Sequence, residues 1–197
     1  MNRRNIIFAV LLILLAIGLT VYEYTLPPML NGVVIDPPKQ MSNFTLAGQS
    51  GPVSLADFHG KLTIVFFGFT HCKDVCPATM AKLSEVFTRL GAKATWVQVV
   101  FISVDYKRDT PQIAGAYASK FRPDFVGLGG SQVDIDAVTK DFGIYYKLGE
   151  PDAGGAYDVE HTATLLVLDQ QGRLEMTWTP DQQPDEIASD LGVLLGK

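Results

Sequence analysis

Apolar and polar positions divide the chain into three stretches. From Ile6 to about Val21 the sequence is uncharged and almost continuously apolar, and Tyr22 and Tyr24 extend the run with amphipathic rings. A helix needs ~20 such residues to cross a bilayer, so residues 6–24 are expected to form a single transmembrane anchor. Residues 25–40 contain Pro27, Pro28, Pro37 and Pro38 and follow neither a helical nor a strand period, as expected of an extended tether. From Met41 to Lys197 the pattern becomes an alternation of strand-like and helix-like blocks, expected to form one domain.

Within that domain, residues 61–69 form a β-branched and aromatic run typical of a central strand covered on both faces. Met80, Leu83, Val86, Phe87 and Leu90 then recur at helical spacing, and Gly91 supplies a stop signal, which predicts a helix over 77–90. A second buried strand is expected over 96–104. Thr110 as N-cap and Pro111 at the first helical position open a helix reaching about Phe121. Two strands joined by a helix make a βαβ unit with a parallel pair. Short elements are expected next: strand 126–128, helix 132–142 and strand 144–146. Residues 164–168 and 174–178 flank Asp169-Gln170-Gln171-Gly172-Arg173, a hairpin signal, and a helix over 184–195 ends the chain. Residues 44–46 and 53–55 fit an added N-terminal β-hairpin. This order predicts an α/β thioredoxin-like sandwich preceded by one transmembrane helix.

Composition narrows the picture. The chain has 197 residues, 47% of them hydrophobic, enough for one full-sized core but not for two ordinary domains. A net charge of -5 with no basic cluster beyond the extreme N-terminus argues against nucleic-acid binding. Arg3 and Arg4 precede the apolar run and Glu23 is the first charge after it, so the positive-inside rule places residues 1–5 in the cytoplasm and the domain outside. Around Gly18 to Glu23 there is no small-x-small cleavage site, no Arg-rich and Ser-rich transit peptide precedes the run, and no cysteine directly follows it. A bacterial inner-membrane protein with a periplasmic domain is the expectation.

Cys72 and Cys76 are the only cysteines, with three residues between them, and stand between a predicted strand and a predicted helix. Two thiols exclude a multi-disulfide scaffold and a four-cysteine zinc site. At a strand-to-helix junction they form either a soft-metal clamp or a redox pair. Cys76, just before Pro77, is expected at the helix N-cap or the last loop position, where the helix dipole would stabilise its thiolate. Three histidines are present: His59, His71 and His161. His59 reads as a turn residue, and His71 adjoins Cys72, where two neighbouring residues rarely reach one metal. His161 precedes a predicted core strand, and two thiolates with one imidazole would make a three-coordinate site suited to Cu(I) and tolerable for Cu(II). A lone loop histidine is nonetheless more often solvated than ligating.

Phe67-Gly68-Phe69-Thr70-His71-Cys72-Lys73-Asp74-Val75-Cys76-Pro77 resembles the signature of the Sco/SenC proteins, thioredoxin-fold copper-binding factors used in assembling cytochrome c oxidase. Ser103-Val104-Asp105-Tyr106-Lys107-Arg108-Asp109-Thr110-Pro111 resembles a second block of that family, with Tyr106 where proline is usual. The stretch from Glu160-His161-Thr162-Ala163 to Leu168-Asp169-Gln170-Gln171-Gly172 resembles a third, with Glu160 where aspartate is more common. The resemblance implies that Cys72, Cys76 and His161 bind copper, as Cu(I) or Cu(II). It also implies Asp105 as a structural neighbour and Asp109 paired with Arg108 or with the helix start. The partner it implies is the CuA-bearing subunit of cytochrome c oxidase, with other periplasmic copper chaperones or thiol reductants beside it. Two roles follow: a metallochaperone that passes copper by ligand exchange, which is not an enzyme, or a thiol-disulfide reductase cycling Cys72 and Cys76 on oxidase cysteines. General disulfide oxidoreductases of this fold use a two-residue spacer, and peroxiredoxin-like enzymes place threonine or serine where this chain has Lys73.

Overall fold

A computed structural model describes residues 3–25 and 29–196, apart from the side chains of Ile6 and of residues 19–25. The first apolar run forms a 23-residue helix, α1 (Arg3–Thr25). Among the described residues, however, no helix is long and apolar enough to cross a membrane.

The domain is built on β1 (Val33–Gln40), β2 (Thr45–Gly48), β3 (Gly51–Ser54), β4 (Leu62–Gly68), β5 (Val97–Ser103), β6 (Val126–Gly129), β9 (Leu165–Leu168) and β10 (Arg173–Trp178). These form one sheet in the order β1-β10-β9-β4-β5-β6-β2-β3 among the described residues. The centre is parallel, β4 with β5 and β5 with β6, as the βαβ pattern predicts. Every residue of β4 and β5 is buried, which matches their mainly apolar sequence, with Thr63, Gln98 and Ser103 as the buried polar positions. The connecting helices are α2 (Val75–Leu90), α3 (Pro111–Phe121), α4 (Gln132–Phe142) and α5 (Pro184–Leu194). Phe66, Phe67, Phe101 and Trp178 are among the largest side chains fully enclosed between sheet and helices. The thioredoxin-like sandwich and the added hairpin β2–β3 are as expected from the pattern. Gly172, with φ +77°, makes the β9–β10 turn where the hairpin signal stood.

Three expectations change. The proline-rich tether is not free along its whole length, because Val33–Gln40 is an edge strand in antiparallel register with β10. A bulge between Val34 and Lys39 accommodates Pro37 and Pro38, which is how an edge strand tolerates proline. The strand expected at 144–146 lies further on, as β7 (Tyr146–Leu148), and pairs with an unexpected β8 (Val159–His161) in a separate two-stranded ladder. Finally, α2 starts at Val75 rather than after Cys76, with Asp74 as its N-cap.

Candidate metal centre

The site is assembled at the carboxyl end of β4. An added Cβ at Gly68 would lie 2.9 Å from the Cys76 sulfur and 2.9 Å from the Phe101 ring, so glycine there lets the start of α2 press against the sheet. The intervening loop is braced from behind. Asp109, 2% exposed, accepts hydrogen bonds from the Thr70 amide at 2.8 Å, the Thr70 hydroxyl at 2.6 Å and the Ser103 hydroxyl at 2.6 Å. The Cys72 amide donates to the Phe69 carbonyl, which tightens the turn.

Cys76 is wholly buried in the first turn of α2, and its amide donates to the Cys72 sulfur at 3.4 Å. Cys72 is partly exposed in front of it, and neither is in a disulfide. His161, at the end of β8, brings Nε2 to 3.6 Å from the Cys76 sulfur. Its Nδ1 lies 3.1 Å from the Thr162 carbonyl oxygen. A carbonyl can only accept, so Nδ1 carries the proton and Nε2 presents its lone pair to the sulfur. Phe69 meets the imidazole edge-on, with centroids 5.7 Å apart, and holds its plane.

The electrostatics correct one expectation. Burial above all pushes the Cys76 thiol far above its ordinary range, and the nearby Cys72 and Asp109 add to this, while a backbone hydrogen bond at Phe69 acts the other way. Desolvation outweighs the helix terminus, so Cys76 is a protonated thiol rather than a stabilised thiolate until something replaces the proton. Burial also lowers the His161 pKa, against the opposing pull of the Thr162 carbonyl, which keeps the imidazole neutral and able to ligate.

The other sequence candidates fall into supporting places. His71 is exposed, and its Nδ1 sits 3.5 Å from Asp109. His71, Asp105 and Asp109 do bring potential ligand atoms within 4.8 Å of one another. Both acids are already engaged by protein donors, however: Asp105 is paired with Arg108 and accepts the Tyr157 hydroxyl at 2.7 Å. Asp105 therefore braces the site as expected, whereas Asp109 holds the cysteine loop instead of pairing with Arg108. His59 lies beside Gly172 at the far end of the sheet, and Glu160 is exposed on β8. No local pattern announces the Arg108 guanidinium stacked over the Tyr157 ring at 3.7 Å, which ties the segment leading to β8 down to the β5–α3 loop. Gly68, interrupting an aromatic strand just before the cysteines, was the available signal for the close approach of α2.

Comparison with known proteins points one way. A family model described as SCO1/SenC matches residues 34–196. The chain is 37% identical over 133 residues to the SCO2 homolog of Bos taurus, a mitochondrial protein, covering 66% of this chain and 50% of that one. It thus spans about half the length of that relative. Among solved structures, apo Sco1 from Thermus thermophilus superposes with a TM-score of 0.78 at 39% identity, covering 84% of this chain and 97% of that one. ScoI from Bradyrhizobium japonicum, solved with copper bound, gives 0.71 at 38% identity, covering 77% and 97% respectively.

Proposed function

The chain belongs to the SCO1/SenC family, and from that premise we propose that it is a copper-binding assembly factor that holds copper between Cys72, Cys76 and His161 and passes it to a membrane cytochrome c oxidase. The observation carrying this reading is the convergence of one imidazole lone pair and two free sulfurs: His161 Nε2 stands 3.6 Å from the Cys76 sulfur, and the Cys72 sulfur accepts the Cys76 amide at 3.4 Å. The donor set fits the cargo. Two sulfurs and a neutral imidazole suit Cu(I) and accommodate Cu(II), whereas the neighbouring Asp109 and Asp105 carboxylates are already held by protein donors. Bound copper replaces the thiol protons. Three ligands leave room for an incoming thiolate or imidazole, which permits transfer by ligand exchange without release of the ion. The CuA centre of the oxidase is the proposed recipient.

A second reading rests on the unequal exposure of the sulfurs. Cys72, partly exposed, would attack a target disulfide and form a mixed disulfide, releasing one target thiolate. Cys76 would then attack the Cys72 sulfur, releasing the second target thiol and leaving a Cys72–Cys76 disulfide, to be reduced by an external dithiol. The high pKa of Cys76 makes it a poor resolving nucleophile, which favours the copper role.

We further propose that α1 anchors the chain in a bacterial inner membrane with the domain in the periplasm. Its support is a 23-residue helix that begins with Arg3 and Arg4 and continues into an apolar run with side chains such as Phe8, Leu11 and Leu15 exposed. Protease added to intact spheroplasts is expected to cleave the domain from outside.

The functional test is an anaerobic Cu(I) competition titration of the reduced, detergent-solubilised chain, repeated with Cu(II) followed optically. One tight equivalent is expected, weakened at least ~100-fold in His161→Ala and lost in Cys76→Ser. Unchanged binding in both variants would sink the three-ligand site. Weak binding by the unaltered chain, together with fast cycling of a Cys72–Cys76 disulfide, would favour the reductase.

A further inference from the structure

The buried face of α3 is made of small residues, with one exception. Ala114, Gly115 and Ala118 face inward beside Tyr117, which is buried at 9% exposure. The Tyr117 ring packs on Phe101 of β5 with centroids 5.0 Å apart and on Phe121 at 5.3 Å. Phenylalanine would make both contacts, so the hydroxyl is the part of the side chain that packing does not explain. Among the described residues, the Tyr117 hydroxyl and Arg108 Nη2 are the buried side-chain polar atoms without a hydrogen-bond partner. Arg108 keeps two bonded nitrogens, Nε on Asp105 and Nη1 on the Tyr157 carbonyl. Tyr117 has only the one polar atom, and leaving it unpaired in an apolar interior forfeits its hydration.

The position of the hydroxyl gives it a use. Helical side chains lean toward the helix N-terminus, so the phenol reaches back along α3 toward the end that follows Asp109. That end stands at the carboxyl edge of the sheet, beside the cysteine loop that Asp109 holds through Thr70. Phe101, against which the phenol packs, comes within 2.9 Å of the point where a Gly68 Cβ would lie, and the Cys76 sulfur comes within 2.9 Å of the same point. Phenol, Phe101 ring and sulfur are therefore successive neighbours. Burial above all, then the Cys76 and Cys72 sulfurs and the Asp109 carboxylate, push the Tyr117 phenol well above its ordinary range, so it stays a donor throughout the working pH range.

We propose that Tyr117 is a positioning residue for copper: its hydroxyl donates to the Cys76 sulfur once copper has displaced the thiol proton, directly or across one water, and biases the site toward Cu(I). The proposal rests on the copper-carrier reading above. In the copper-free chain Cys76 is a protonated thiol, a weak acceptor that leaves the phenol without a partner. Loading turns the sulfur into a copper-bound thiolate, and a hydrogen bond to it is of the stronger, charge-assisted kind. That bond withdraws electron density from the sulfur. Cu(II) depends on this density more than Cu(I) does, so hydrogen bonding around a ligating cysteine shifts the balance toward the reduced ion. The hydroxyl thus destabilises the empty chain and stabilises the loaded one, a pair of opposite signs that a purely structural tyrosine does not give.

Both signs are tested by Tyr117→Phe in the full, detergent-solubilised chain, since the substitution keeps the ring and its packing. Without copper, the reduced variant should unfold in urea at the same midpoint or a higher one. Its Cu(I) affinity should fall about tenfold in anaerobic chelator competition, and its Cu(II) affinity by less. The sulfur-to-Cu(II) charge-transfer band should move to longer wavelength. A copper-free variant less stable than the unaltered chain would mean that the hydroxyl already has a partner in the empty state, which overturns the proposal. Unchanged Cu(I) affinity with an unmoved band overturns it too, while tight binding by the unaltered chain leaves the copper-carrier role standing. Failure of the unaltered chain to bind copper tightly overturns that role and the proposal together.

Discussion

At the scale of single residues, the chemistry is set by what burial does to Cys76. Its proton must leave when copper binds, so apparent affinity rises with pH by about tenfold per unit for that one proton. Because burial pushes this thiol up, the rise is expected to continue through mildly alkaline pH instead of levelling near the ordinary thiol value of about 8.5. His161 contributes no slope there, since its lowered pKa keeps it neutral above mildly acidic pH. Chelator competition at a series of pH values measures this directly, and a profile that flattens below about pH 8.5 would contradict it. Asp109 supplies a second residue-scale prediction. Asp109→Ala leaves the Thr70 amide and the Ser103 hydroxyl without their acceptor, which should cost about 3 kcal/mol in urea denaturation and weaken copper binding by loosening the cysteine loop. The two cysteines were legible in the sequence from their spacing and their place after a strand. The roles of Asp109 and of the Cys76 environment were not, because both depend on contacts that cross from one βα loop to the next and have no local sequence signature.

At the scale of elements, periodicity located β4, α2, β5, α3, β9, β10 and α5 to within a few residues, because each buries a face with a regular period. It failed where a short element is decided by its partner. β8 has only three residues and exists through pairing with β7, and β1 reads as tether because its prolines break the strand pattern that β10 nevertheless satisfies from one side. α2 starts two residues before the boundary that Pro77 suggests, because proline is tolerated in the first helical turn. Helix-on-sheet packing gives a sharper test. A Cβ at Gly127 of β6 would fall 2.0 Å from the Ala114 carbonyl oxygen of α3, and backbone cannot yield as a flexible side chain can. Gly127→Ala should therefore force α3 off β6 and destabilise the domain by about 3 kcal/mol, whereas Gly192→Ala, whose Cβ meets open space, should leave the thermal midpoint nearly unchanged or slightly raised.

For the whole molecule, the question is where the domain begins. The change in sequence pattern suggests Met41, but β1 precedes it, and the buried Asp190 of α5 accepts from the Asn31 amide and side chain, the Gly32 amide and the Trp178 indole. A chain starting at Met41 would leave β10 as an unprotected edge, and of the four donors to Asp190 only the Trp178 indole would remain. A buried carboxylate stripped of most of its donors is costly, and the lost ladder adds to that cost, so the 41–197 fragment should be at least about 3 kcal/mol less stable than the 29–197 fragment and more prone to associate through β10. Paired urea titrations with sedimentation measure both effects. Equal stability would mean that β1 only decorates the sheet and that Asp190 finds other partners. The expected difference would make residues 31–40 part of the folding unit, with the Asn31–Asp190 hydrogen bonds and the β1–β10 ladder closing the same edge of the sheet.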